Sequence, residues 1–200
     1  MTFDQPASAT GASVGTTFDA ARLLAAVDFA AARHRYQRRK DGEGSPYINH
    51  CVAVATVLAT VGGVTDVDTL AAALLHDTVE DTGTTPDELE HAFGLAVSGI
   101  VAEVTDDKSL PKSERKRLQI VHARTASRAA RLVKLGDKIC NVRDVTHAPP
   151  AGWSDERRLA YLRWSAEVVD GCRGTNAALE AEFDRLLAEG LIALGAPSGA

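Results

Sequence analysis

The sequence predicts an all-α fold, a single bundle of about nine helices. Apolar residues recur at helical spacing along most of the chain, and no stretch alternates with the period of a strand. Most periodic stretches also carry a recognisable start or stop signal. The 200 residues suffice for one domain with a full core.

Residues 1–17, rich in Thr, Ser, Ala and Gly without periodicity, read as a flexible tail. The domain spans 18–192, and 193–200 read as a second tail. The first helix sets in at Phe18 with Leu23, Leu24, Val27, Ala30 and Ala31, and ends in the basic run Arg33 to Lys40. Cations there suit a helix C-terminus; Gly42, Gly44 and Pro46 then break the helix. The second runs from Tyr47 to Gly62-Gly63, with His50 at its start and Cys51 reading as a packed thiol rather than a nucleophile. Asp66 or Asp68 caps the central helix, expected to continue to about Asp81. Thr85-Pro86-Asp87-Glu88 opens a short helix that stops at Gly94. Another spans Ala96 to about Thr105. A loop then leads into a basic helix start, Lys112 to Arg117, where cations oppose the helix dipole and so suggest a phosphate site. Ala129–Val145, a helix from Trp153-Ser154 carrying Tyr161 and Trp164, and a closing helix from Asn176 to about Ile192 complete the bundle.

A net charge of −5 excludes a global basic field for nucleic acid, so an anionic ligand needs a local basic patch. Three cysteines cannot form a disulfide framework. With no secretory signal and no apolar run long enough to span a bilayer, the expectation is a soluble cytoplasmic protein that engages neither membrane nor nucleic acid.

Chemistry concentrates in Leu74-Leu75-His76-Asp77-Thr78-Val79-Glu80-Asp81-Thr82. An apolar helix here turns abruptly to one His and three carboxylates. Buried carboxylates are costly unless paired, hydrogen-bonded or metal-bound. On an ideal helix His76 and Glu80 lie one turn apart, as do Asp77 and Asp81, so all four face one broad sector. His and Asp suit a divalent transition metal, and two further carboxylates suit proton transfer and water positioning. Taken alone, the same residues also fit a solvated helix end. Asp137 is a second carboxylate inside an apolar helix, one turn from Asn141, with no evident partner in the sequence.

A His on one helix, a His-Asp pair on a second and an Asp on a later one resemble the HD-domain phosphohydrolases. Arg39-Lys40 ahead of Pro46-Tyr47-Ile48-Asn49-His50, the segment Leu74–Thr82, and Val133-Lys134-Leu135-Gly136-Asp137-Lys138-Ile139-Cys140-Asn141 are similar to the hydrolase domain of RelA/SpoT proteins. The segment Val104–Leu118 and Trp153-Ser154 resemble the small alarmone hydrolases of the metazoan SpoT homologue type, and the likeness covers about Phe18 to Ile192. Gly136 stands where that family usually has Ala.

The resemblance implies one Mn²⁺ held by His50, His76, Asp77 and Asp137. The substrate would be the alarmone guanosine 3′-diphosphate 5′-di(tri)phosphate, (p)ppGpp, cleaved to GDP or GTP and pyrophosphate. Glu80 and Asp81 would position water and carry its proton, Asn141 would bind ribose or phosphate, and Arg39 would stack on the base beside Lys40. Lys112 and Arg115 would meet the distal 5′-phosphate, and Tyr161 would bound the pocket. The family's long members carry a synthetase domain; with eight residues after Ile192, a hydrolase without synthetase is expected. The alternatives are an NADPH 2′-phosphatase or other nucleotide phosphohydrolase on the same metal site, and a module that binds the alarmone without cleaving it.

Overall fold

Helix α3, Val67–Leu75, runs buried through the middle of the protein, and every residue from Thr69 to Leu75 is buried. Ala71, Ala72 and Ala73 make it slim enough for neighbours to close on all sides, and such a helix belongs in a core. Asp66 caps it, accepting from the Thr69 N–H at 2.9 Å. The computed structural model describes residues 19–196, so the first expected tail, 1–17, and residues 197–200 of the second lie outside the described residues.

Around α3 pack α1 (Ala20–Arg33), α2 (Ile48–Thr60) and α6 (Leu95–Val104). The four-residue α4 (Thr78–Asp81) follows α3 directly, and α5 (Pro86–Phe93) follows with its Thr85–Glu88 capping box in place. Next come α7 (Lys112–Ala123), the long α8 (Arg128–His147), α9 (Asp155–Asp170) and α10 (Ala177–Ala193). Helix α8 touches α2, α3, α6, α9 and, most extensively, α10. Leu135, Ile139 and Val142 on α8 and Leu179, Phe183 and Leu186 on α10 are buried among the core side chains. Each such side chain contributes about 1.5–3 kcal/mol by leaving water.

The all-α expectation holds among the described residues, which contain ten helical segments and one isolated bridge, Arg38 to Pro46. The central helix differs from expectation. It does not run unbroken to Asp81; the helix lapses at His76 and Asp77 and resumes for a single turn. The Thr78 hydroxyl donates to the Leu75 carbonyl at 2.6 Å, taking up a backbone acceptor at the break.

Gly136 lets α8 approach α2. A Cβ there would sit 3.1 Å from both Leu58 and Val54, tighter than ordinary contact.

Candidate active site

His50 enters from the first turn of α2, His76 and Asp77 from the break after α3, and Asp137 from the middle of α8. Both histidines are buried. The His50 Nε2 lies 3.2 Å from Asp137 Oδ1 and 3.9 Å from Asp77 Oδ2. The His76 Nε2 lies 3.0 Å from Asp77 Oδ2 and 3.8 Å from Asp137 Oδ1. One ligand atom each from His50, His76 and Asp137 falls within a 4.8 Å cluster.

The donor set fits a divalent cation. The His76 Nδ1 lies 2.9 Å from the Ala73 carbonyl, to which it donates, so Nε2 faces the two carboxylates. That Nε2 is buried without a hydrogen bond of its own, as a ligand atom is when its ion is set aside. Burial alone would lower the His76 pKa, but Asp77 and Asp137 outweigh it and raise it to about 9. Burial likewise opposes ionisation of Asp137, yet Lys138, His50 and His76 hold its carboxyl well below the usual range. The site is thus a cluster of two carboxylates facing two histidines.

Around it the cluster's carboxylates are braced. Tyr47 donates its hydroxyl to Asp77 Oδ2 at 2.6 Å, and the Lys138 ammonium meets Asp137 Oδ2 at 2.9 Å. Asn141 donates to Asp137 Oδ1 at 2.5 Å. The Asp137 left without a partner in the sequence therefore has four. Cys51 is buried and its thiol is pushed well up by burial, in keeping with a packed side chain.

The cluster opens into a cavity of about 370 Å³ between α4, α7, α8 and α9. Seven Lys and Arg side chains and four carboxylates line it. Among them are Lys112, Arg115 and Lys116, from the basic start of α7. This is the local basic patch that an anionic ligand requires in a protein of net charge −5. A second cavity of about 360 Å³ adjoins the first and shares Lys40, Tyr47, Asn141, Trp153 and Tyr161 with it.

Glu80 and Asp81 diverge. Glu80 lines the cavity at the metal cluster, accepts the Asp106 N–H at 3.0 Å and lies 3.8 Å from Arg115. Burial, and then nearby Asp106, Asp77 and Asp81, raise its pKa to about 7 against the opposing Asp106 N–H. Asp81 faces the adjoining cavity, where Gln37 donates to it at 2.8 Å and Lys108 pairs with it. The four polar side chains of this segment are thus divided between two adjoining cavities, with His76, Asp77 and Glu80 on one and Asp81 on the other.

Arg39 lines that adjoining cavity, 5.6 Å over the Tyr47 ring, with its guanidinium 2.6 Å from Asp144 and 3.1 Å from the Asn141 carbonyl oxygen. Lys40 and Tyr161 line both cavities. Arg115 is divided between Glu80 and Asp106, at 3.8 and 4.0 Å.

Several cavity residues escaped the sequence reading. Lys116 and Lys138 lie 4.5 and 4.6 Å over the ring of Trp164, whose indole N–H donates to the Lys116 carbonyl. Lys134 and Arg157 also line the cavity. The signal for the α8 residues was present: Lys134, Asp137, Lys138 and Asn141 fall on one helical face.

Comparison with known proteins agrees with this geometry. The HD domain family model matches residues 26–162. The human MESH1 protein, named a guanosine-3′,5′-bis(diphosphate) 3′-pyrophosphohydrolase, is 56% identical over 168 residues, covering 84% of this chain and 94% of that protein. Its Xenopus tropicalis counterpart is 54% identical over 176 residues, covering 88% and 98%. A solved structure of a metazoan ortholog of SpoT, described as hydrolysing ppGpp and acting in starvation responses, superposes with a TM-score of 0.82 at 48% identity, covering 86% of this chain and 96% of that one. A buried His/Asp cluster beside a basic cavity, on an all-α frame shared over most of its length with these relatives, places the chain in the HD-domain family, in the branch of the MESH1 proteins.

Proposed function

We propose that this protein hydrolyses guanosine 3′-diphosphate 5′-di(tri)phosphate to GDP or GTP and pyrophosphate, in the cytoplasm, with one Mn²⁺. The observation that carries the reading is the junction of two unlike environments: a His50/His76/Asp77/Asp137 cluster suited to a divalent cation, opening directly into a cavity rich in Lys and Arg. Its likeness to proteins named for this activity supports the choice of substrate. Three unpaired buried cysteines suit a reducing compartment, and no helix among the described residues is long and apolar enough to cross a membrane.

His50, His76, Asp77 and Asp137 would hold the ion, which supplies Lewis acidity at a phosphate oxygen and a more acidic water. Release of pyrophosphate requires the bond between the ribose O3′ and the adjacent phosphorus to break, while a water oxygen joins that phosphorus. Glu80, on the cavity wall, takes the proton of that water; a raised pKa suits a base that must release it again near neutrality. Asp81 serves as a second proton carrier from the adjoining cavity, once its ion pair with Lys108 opens. Asn141 bridges Asp137 and Arg39 and so links the ion site to the base site. Arg39, backed by Tyr47, presents a guanidinium plane to a purine, with Lys40 beside it. Lys112 and Arg115 meet the 5′-phosphates, and Tyr161 closes the wall.

The test is incubation with Mn²⁺ and a panel of nucleotides, including ppGpp, pppGpp and NADPH, with products separated by chromatography. GDP or GTP with pyrophosphate is the expected outcome, abolished by chelation and restored by Mn²⁺. Binding of ppGpp without turnover, at full metal content, would refute the hydrolase reading.

A further inference from the structure

We propose that Lys134 anchors the far phosphate of the 3′-diphosphate and thereby makes the site select a diphosphate over a single phosphate at that position. This rests on the function proposed above and adds a subsite to it.

Lys134 lies on α8, is 7% exposed and lines the cavity. Among the described residues its ammonium has neither a hydrogen bond nor an ion pair. The cations nearest to it in sequence and on the facing wall have other contacts. Lys138 is paired with Asp137 and stacked on Trp164. Arg115 lies 3.8 and 4.0 Å from Glu80 and Asp106, and Lys116 lies over the Trp164 ring. A largely buried lysine without a counter-charge is disfavoured, and burial followed by repulsion from Lys138 lowers its pKa. An anion arriving in the cavity relieves both.

The register of α8 says which anion. Asn141, Asp137 and Lys134 succeed one another along the cavity-facing side. Asn141 touches Arg39, on the side of the base, and Asp137 belongs to the metal cluster. Lys134 comes about one further turn along, roughly 4.5 Å beyond Asp137 in helix rise. A substrate with its base at Arg39 and its proximal 3′-phosphate at the cluster extends its second 3′-phosphate toward Lys134. A single phosphate ends before reaching it. Asp106, the nearest other carboxylate on that side, is already engaged by Gln119 at 2.7 Å.

The experiment compares Lys134→Met with the wild type on two substrates that differ by one phosphate: guanosine 5′-diphosphate 3′-diphosphate and guanosine 5′-diphosphate 3′-monophosphate. On the diphosphate kcat/KM should fall roughly 10- to 100-fold, the range for losing a charged hydrogen-bond partner. On the monophosphate it should stay within about 3-fold. Inhibition by manganese pyrophosphate should weaken with the first figure. Lys134→Gln should show the same loss of discrimination and serves if the Met variant does not fold. An equal fall on both substrates, or no fall on either, overturns the proposal. If the wild type cleaves neither nucleotide, the functional reading fails instead. Calorimetric binding of manganese pyrophosphate then decides the subsite, and equal affinity for wild type and Lys134→Met overturns it.

Discussion

Helix α8 turns two unlike faces to the molecule. Leu132, Leu135, Ile139 and Val142 on one are buried in the hydrophobic core. Lys134, Asp137, Lys138 and Asn141 on the other line the cavity. Both faces are largely withdrawn from water, yet they differ in what completes them. The apolar face is finished by folding, since packing is all it needs. The polar face is finished only in part: its charges are paired among themselves except at Lys134, and the His/Asp cluster gathers ligand atoms around a space for a cation. Stability and function are thus carried by opposite sides of one helix, and substitutions on the two sides should separate them.

The sharpest break is Asp137→Asn. It removes one charge of the proposed ligand set and leaves the buried Lys138 ammonium without its counter-charge. Metal content by elemental analysis and turnover should be lost together. An Asn variant that keeps its metal would move Asp137 out of the ligand set.

Glu80→Gln should keep the metal and still bind nucleotide while kcat falls roughly 10²–10⁴-fold. Glu80 has a folded-state pKa of about 7, raised chiefly by burial. The base must be ionised, so the wild-type rate should climb with pH up to that region, or to a lower pH if the bound cation favours the carboxylate; the Gln variant should lack this limb. The same shift has a sign for stability. A carboxyl that binds its proton more tightly when folded loses stability as pH rises from the ordinary Glu range through 7. Glu80→Gln should therefore melt higher than the wild type at alkaline pH, while turning over less. A Gln variant as metal-free as Asp137→Asn would put Glu80 among the ligands.

On the other face, Leu135→Ala should cost about 2–5 kcal/mol in denaturant unfolding with kcat nearly unchanged below the transition. A large loss of kcat in folded protein would mean that the two faces are coupled. The smallest effect is expected at Gly136. Ala is favoured over Gly inside a helix by about 1 kcal/mol, but its methyl would press on Leu58 and Val54 at 3.1 Å. Gly136→Ala should fall within about 1 kcal/mol of the wild type, with its sign telling whether α2 can give way.

Much of this was legible in the chain. His76-Asp77 and Asp137 stand out because they interrupt apolar helices, and burial makes such interruptions expensive; His50, at a helix start, stands out only through the family resemblance. The basic start of α7 stands out because it opposes the helix dipole, and Lys112, Arg115 and Lys116 do reach the cavity. That Glu80 and Asp81 line different cavities depends on the elements packed around α4, which no local pattern encodes. Tyr47 was missed because its partner, Asp77, lies 30 residues on. Lys134 and Lys138 were missed because a lysine in a helix normally reaches water; only the packing of α9 and Trp164 over α8 encloses them.

The chain has two tryptophans, and both Trp153 and Trp164 line the same cavity. The protein therefore carries its own optical gauge. All of its indole emission originates beside the site, and Trp164 lies against the ammonium groups of Lys116 and Lys138, whose field at the ring a bound polyphosphate would change. Intrinsic fluorescence should follow occupancy of the cavity directly, without a label, in titrations where turnover has been switched off.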